Sequence, residues 1–163
     1  MANKALVYAI YPNEKQNIQC QKTFGCCRFV YNHMLSLQQD RYKNGEKHLN
    51  KKNANNYCNQ QLKKDYPFLK EVDKFALTNA IYHLEDGYDR FFKHLSKFPK
   101  FKSKHKAKKS YTTNFTNGNI GIGENFVKLP KLGVVKAKIH RKPEAGWKIK
   151  SATVTQNRDD SYQ

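Results

Sequence analysis

The chain is 163 residues long, enough for one moderate domain or two small ones. Thirty-one Lys and Arg stand against thirteen Asp and Glu, a formal net charge of +18, so the expected partner is a polyanion and nucleic acid first among these. No apolar run approaches the length of a membrane span, no signal peptide opens the chain, and a membrane partner is not expected.

Ala5–Tyr11 (ALVYAIY) reads as a short strand closed by Pro12. Asn13 then starts a helix, with Gln16 placed to complete a capping box. Helical periodicity runs from Ile18 through Phe24, Cys27, Tyr31, Met34 and Leu35, with Arg28 and Asn32 as polar members and Asn44-Gly45 as the stop. Gly25 either divides this stretch into two helices or permits a close crossing. Residues 51–64 form a polar helix anchored by Tyr57, Cys58 and Leu62. Cys20, Cys26, Cys27 and Cys58 have neither C-x-x-C spacing nor disulfide-rich density, and are read as reduced thiols of a cytosolic protein.

The clearest amphipathic helix follows, from Asp73 as N-cap, with Val72 and Leu77 at the two positions of a hydrophobic staple. Leu77, Ile81, Leu84, Tyr88, Phe91, Phe92 and Leu95 define its buried face. Phe75 lies on the opposite face, beside Lys74 and among Thr78, Tyr82 and Asp86. It is either a first-turn Phe packed under a loop or an exposed corner suited to phosphate and base together. The densest positive run comes next. Between Asp89 and Glu124 no acid occurs, while nine Lys or Arg do. Lys97, Lys100, Lys102, Lys104, Lys106, Lys108 and Lys109 are the candidate contacts to a nucleic-acid backbone.

From Ser110 the period becomes alternating, and residues 110–116, 119–123, 126–129, 134–140 and 147–156 read as strands. Asn117-Gly118 signals a tight turn. Lys136, Lys138, Lys148 and Lys150 alternate with apolar neighbours, so each strand would show one basic and one buried face. The fold class expected is α+β: a small OB-like barrel built from residues 1–12 and 110–163, split by a helical insertion over 13–96 and a basic linker over 97–109. Residues 157–161 read as a hairpin turn followed only by Tyr162 and Gln163. This would leave the outgoing strand unpaired along one edge and looks like a truncation.

Several blocks resemble TnpB, the OrfB-type protein of bacterial insertion sequences. They are Ala5–Pro12, TFGCCRFVYNHML, YPFLKEVDKFALTNAIYHLEDGYDRFF, FPKFKSK, SYTTNFTN and VKLPKLG. The resemblance implies an RNA-guided DNA endonuclease of the bacterial or archaeal cytosol, bound to a guide RNA made from the transposon end and to double-stranded DNA. It also implies a wedge barrel split by a helix-turn-helix-like recognition lobe. It assigns recognition of a short DNA motif beside the target to Lys74, Phe75 and Thr78, to Lys51 and Asn55 in the preceding helix, and to Thr116 and Asn117 in a turn. Thr78 departs from the long amide the family can carry there, and Lys51 from an aromatic. A Thr cannot make the bidentate contact to adenine that Gln makes, so the preferred motif is expected to differ.

The family's nuclease domain, with three carboxylates on two divalent metal ions and a later zinc-binding cysteine cluster, has no counterpart in these residues. No catalytic residue, metal or other cofactor is therefore assigned to this chain, whose Cys and His lack ligand spacing. The expected function is binding of guide RNA and motif DNA without catalysis. The alternative is a stand-alone helix-turn-helix regulator that needs no RNA.

Overall fold

Asn13 and Gln16 cap one another. The Asn13 amide donates to Gln16 Oε1 (3.0 Å) and the Gln16 amide to Asn13 Oδ1 (2.8 Å). Two donors that a helix start would leave orphaned are thereby satisfied, and helix α1 (Glu14–Lys43) begins. In the computed structural model, which describes residues 2–163, α1 runs unbroken for 30 residues. Gly25 neither divides it nor marks a close crossing, since a Cβ there would meet nothing within 4 Å. One interior glycine costs a helix only about 1 kcal/mol, and buried Phe24, Cys27, Val30, Met34 and Leu35 outweigh that. The helix stops where expected. Gly45 sits at φ +72, its amide bonds the Tyr42 carbonyl, and the Glu46 amide bonds that of Arg41, the two closures of a Schellman motif.

The chain divides into two units, Met1–Lys22 with Lys108–Gln163, and Thr23–Ala107. The first is the strand unit: β1 (Ala9–Tyr11), β2 (Lys109–Asn114), β3 (Gly121–Ile122), β4 (Phe126–Leu129), β5 (Gly133–Lys138) and β6 (Ser151–Gln156). All pairings are antiparallel, in the orders β1-β5-β4-β3 and β2-β6. The register sets buried residues opposite one another: Ile10 faces Ala137, Val127 faces Val135, and Tyr111 faces Val154. Such cross-strand pairs are the unit of sheet stabilisation. On β5, Lys136 and Lys138 alternate outward with buried Val135 and Ala137, as expected. A Cβ at Gly123 would meet the Phe126 ring, which would have to move aside to admit it.

Four expectations for this unit are corrected. The first strand covers Ala9–Tyr11 rather than Ala5–Tyr11, because only those residues pair with β5. Residues 147–150 are not strand: the Trp147 amide closes a turn on Glu144 and Gly146 sits at φ +88, so Lys148 and Lys150 precede β6. The strands do not close into a barrel. Asn117 (φ 49) and Gly118 (φ 70) do make the tight turn, but β2 pairs with β6 and the two-residue β3 with β4, so no β2–β3 ladder forms. The outgoing β6 strand is also not left bare. Thr155 and Gln163 exchange both backbone bonds at 2.9 Å, the Ile10 amide donates to the Tyr162 carbonyl (3.1 Å), and Tyr162 bridges β1 and β6. The Tyr162 hydroxyl donates to Asn17 and accepts from Gln21 (2.9 Å) on α1.

The second unit is helical. Asn50 caps α2 (Lys51–Tyr57), its side chain accepting from the Asn53 amide at 2.8 Å. The helix loosens into a π-turn over Cys58–Leu62 and ends as α3 (Lys63–Asp65). A 3₁₀ turn, Pro67–Glu71, leads to α4 (Lys74–Phe92). Asp73 caps α4 as expected, accepting from the Phe75 amide, and Val72 and Leu77 are both buried. Leu77, Ile81, Leu84 and Tyr88 form the buried face, each contributing about 1.5–3 kcal/mol by area. Phe92 and Leu95 do not join it. The helix ends at Phe92, and the Leu95 amide bonds back to Arg90, which turns the chain before the next apolar position comes round.

That turn leaves His94 at φ 60, a left-handed conformation that costs a residue with a Cβ roughly 1–2 kcal/mol. His94→Gly is expected to stabilise the protein by about 0.5–1 kcal/mol, after the unfolded-state entropy that glycine adds. Urea unfolding checks this: the midpoint should rise with the slope unchanged, and a fall would contradict the assignment of strain.

Candidate nucleic-acid interface

The helical unit brings together most of the residues singled out for motif recognition. Thr78 Oγ1 donates to Asn55 Oδ1 at 3.1 Å, with the Lys74 carbonyl at 3.2 Å as the competing acceptor. Lys51 Nζ lies 2.6 Å from Asp86 Oδ1 and 5.4 Å from the centre of the Tyr82 ring. The spacing explains the match. Thr78, Tyr82 and Asp86 recur every four residues along α4, and Lys51 and Asn55 do so along α2, so the two rows meet as neighbours. The hydrogen bond that Lys51 donates to Asp86 raises the Lys51 pKa, so this lysine is a held cation. At the start of α4, Lys74 is exposed and its ammonium sits 5.2 Å from the Phe75 ring centre. Phe75 itself is half-buried, neither sealed in the core nor fully presented.

Thr116 and Asn117 belong to the strand unit. Both are exposed at the tip of the tight turn. The Asn119 side chain braces this tip, accepting from the Thr116 amide (2.8 Å) and donating to the Asn114 carbonyl (2.9 Å). A turn held from within keeps its outward side chains in a fixed direction.

The basic segment is less loose than its composition implies. Asn32, read from the sequence as a polar member of the α1 core, clamps it: Asn32 Nδ2 donates to the Lys102 carbonyl and the Lys102 amide to Asn32 Oδ1, both at 2.8 Å. Lys102 is exposed as a residue, yet its ammonium lies 4.3 Å from the Tyr31 ring centre. Partial desolvation lowers its pKa, against a smaller opposing pull from Cys27. Lys97, Lys100, Lys104, Lys106 and Lys108 are exposed, as is Lys109 at the start of β2. Sequence reasoning missed the Tyr31–Asn32 seat for Lys102, because an Asn at helical spacing carries no mark of a partner 70 residues away.

It also missed a buried carboxylate behind this surface. Glu85 accepts from Gln38 Nε2 (3.0 Å) and its other oxygen lies 2.6 Å from His48 Nε2. Gln38 in turn bonds Leu49 through both its side-chain atoms. None of the four cysteines is in a disulfide, and all are buried. Burial, reinforced by the neighbouring Cys26, pushes the Cys27 thiol up to about 12, and burial pushes that of Cys20 up to about 11.

Comparison with known proteins adds an independent line. Residues 1–47, which hold β1, the whole of α1 and its Gly45 cap, match the family described as "Helix-turn-helix domain" (HTH_OrfB_IS605). Over 127 residues the chain is 30% identical to a Streptomyces pristinaespiralis protein named "Putative RNA-guided DNA endonuclease", covering 74% of this chain and 32% of that one. It is 26% identical over 156 residues to "Putative RNA-guided DNA endonuclease InsQ" of Escherichia coli, covering 94% of this chain and 38% of the relative. A third relative, "Virulence protein VsdF" of Salmonella dublin, is 29% identical over 112 residues, which are 63% of this chain and 94% of that protein. The chain thus spans about a third of the length of the two relatives named as endonucleases.

The burial of all four thiols, with the pKa values of Cys20, Cys27 and Cys58 raised by it, predicts an unreactive set of cysteines. Cys20 and Cys27 stay protonated until the pH approaches about 11 and about 12 respectively, so nucleophilic thiolate is scarce at neutral pH. A colorimetric thiol titration at pH 8 should find almost no fast-reacting group in the native protein and all four in denaturant. A fast native thiol would show that one of these sites opens readily.

Proposed function

We propose, from the premise that the chain is a TnpB-type insertion-sequence protein with a DNA-binding part, that it recognises a short DNA motif and carries a transposon-derived guide RNA, without cleavage chemistry in this span. The observation that supports this reading most is the seam between α2 and α4. Asn55 and Thr78, both attributed to motif recognition by resemblance, are in direct contact there, and Lys51, attributed to the same task, is held by Asp86 of α4. Lys74 adds a cation over a half-buried ring at the same helix start. Phosphate contacts set the position of such a protein on DNA and base contacts set its choice of sequence. The held lysines and the braced Thr116-Asn117 tip suit the second task, and the exposed lysines from Lys97 to Lys109 suit the first. The six strands, open between β2 and β3, are the counterpart of the wedge in this reading.

Several acids already have structural work. Asp73 caps a helix, Glu85 is enclosed by Gln38 and His48, and Asp86 pairs with Lys51. This supports assigning binding rather than metal-dependent cleavage to these residues, in a protein acting on DNA in the nucleoid. Binding by this span is expected to need no metal and to survive EDTA. A second reading, a regulator acting without RNA, is favoured by the relative from Salmonella dublin, nearly all of whose length this chain covers. Footprinting with and without added RNA separates the two.

Lys74→Ala or Phe75→Ala is expected to reduce discrimination for the preferred motif by about 1–3 kcal/mol. Selection from a randomised flanking sequence measures this, and unchanged preference in a destabilised Phe75→Ala protein would return Phe75 to a packing role. Replacing Lys104, Lys106 and Lys108 with Gln should weaken all sequences alike and lower the slope of log affinity against log salt by about 2–3. A loss confined to one sequence would instead make these lysines base readers.

A further inference from the structure

The chain after α4 combines exposed rings with positive charge in a way that motif recognition on duplex DNA does not use. Phe92 is 60% exposed, Leu95 72%, Phe98 40% and Phe101 56%. Lys93, Lys97 and Lys100 fall between them and are exposed as well. Single exposed hydrophobics need no explanation, but four within ten residues, interleaved with cations and without one acid, make a patch of definite chemistry.

Two of the rings, Phe92 and Phe98, are also held. Phe98 stands edge-on to Tyr88 (5.4 Å, 87°) and to Phe91 (5.1 Å, 87°), and Phe92 lies nearly parallel to Tyr88 (6.1 Å, 21°) with its edge toward His48. Pro99 seats against Gly87, where a Cβ would come within 3.5 Å of its ring, and Asn32 ties down Lys102. Rings fixed before binding lose little freedom when a ligand arrives. A duplex keeps its base faces within its own stack and offers this patch only phosphates. An unpaired strand offers both phosphates and base faces, and every base has such a face.

We propose that Phe92, Phe98 and Phe101, with Lys93, Lys97 and Lys100, form a stacking platform for unpaired nucleotides of a single-stranded nucleic acid. The proposal rests on the reading that the chain binds nucleic acid, and it specifies that this segment takes a strand whose bases are free. Phe92 and Phe101, the two most exposed rings, would stack on bases. Phe98, packed on Tyr88 and Phe91, would serve as the floor between them. The lysines would follow the backbone.

The test uses the full chain and fluorescence anisotropy with short oligo-dT, oligo-U and a mixed-sequence duplex of equal length. The double variant Phe92→Ala/Phe101→Ala should lose about tenfold or more in affinity for the single strands and less than about twofold for the duplex. Phe92→Trp/Phe101→Tyr should retain single-strand binding, and both variants should remain folded by circular dichroism at the assay temperature, because the replaced rings are more than half exposed. A greater loss on oligo-U than on oligo-dT identifies RNA as the ligand, and the reverse identifies DNA. Equal losses on single strand and duplex, or none on either, overturn the platform. So does a change in oligomeric state on gel filtration with single-strand affinity unmoved, which would make the patch a protein-docking surface. If the parent bound neither single strand nor duplex at low salt, the nucleic-acid reading would fail along with it. Duplex binding with an indifferent double variant sinks the platform alone.

Discussion

A carboxylate buried on the central helix orders the helical unit. Glu85 is 5% exposed, and an ionised group removed from water costs several kcal/mol unless it is paired and hydrogen-bonded. It is satisfied by Gln38 from α1 and His48 from the connection that follows, while Gln38 also binds both backbone groups of Leu49. These bonds tie α1, the connection and α4 to one another. The next residue, Asn50, caps α2, so the path of the connection determines where α2 starts. That start brings Lys51 and Asn55 beside Asp86 and Thr78. The geometry of the candidate interface thus descends from a polar contact on its hidden side.

The charge balance sharpens this. With a net charge of +18 the folded protein works against its own repulsion. Several of its few acids are committed to caps and pairs, and the surface is left cationic. Its lysines fall into two kinds. Lys51, Lys74 and Lys102 are each held, by a carboxylate or over an aromatic ring, and a held cation can discriminate by position. Lys97, Lys100, Lys104, Lys106 and Lys108 extend into water, where their contribution to binding is long-ranged and sensitive to salt. Similarity to a helix-turn-helix domain family and to proteins named as RNA-guided DNA endonucleases is consistent with both kinds.

In the strand unit the comparable role belongs to Tyr162. Its backbone pairs with Ile10 and bridges to Gln156, and its hydroxyl reaches Asn17 and Gln21 at the start of α1. One residue therefore joins β1, β6 and α1. It also links the four-stranded sheet, at β1, to the two-stranded one, at β6.

Local chemistry was legible along the chain. The Asn13–Gln16 cap, the Asp73 cap, the Gly45 stop, the Asn117-Gly118 turn and the alternation on β5 each depend on residues within a few positions of one another, and the sequence alone determined them. So did the charge that selects a polyanion, and the resemblance that grouped Lys51, Asn55, Lys74, Phe75 and Thr78. The tertiary structure decided what depends on distant partners. Whether Gly25 breaks a helix, whether six strands close, and what Asn32, Glu85 and Tyr162 hold are all settled by contacts across tens of residues. A hydrogen bond of 2.8 Å from a side chain to a backbone carbonyl 70 positions away leaves no periodicity to read, because its cost and benefit appear only once the two groups are brought together.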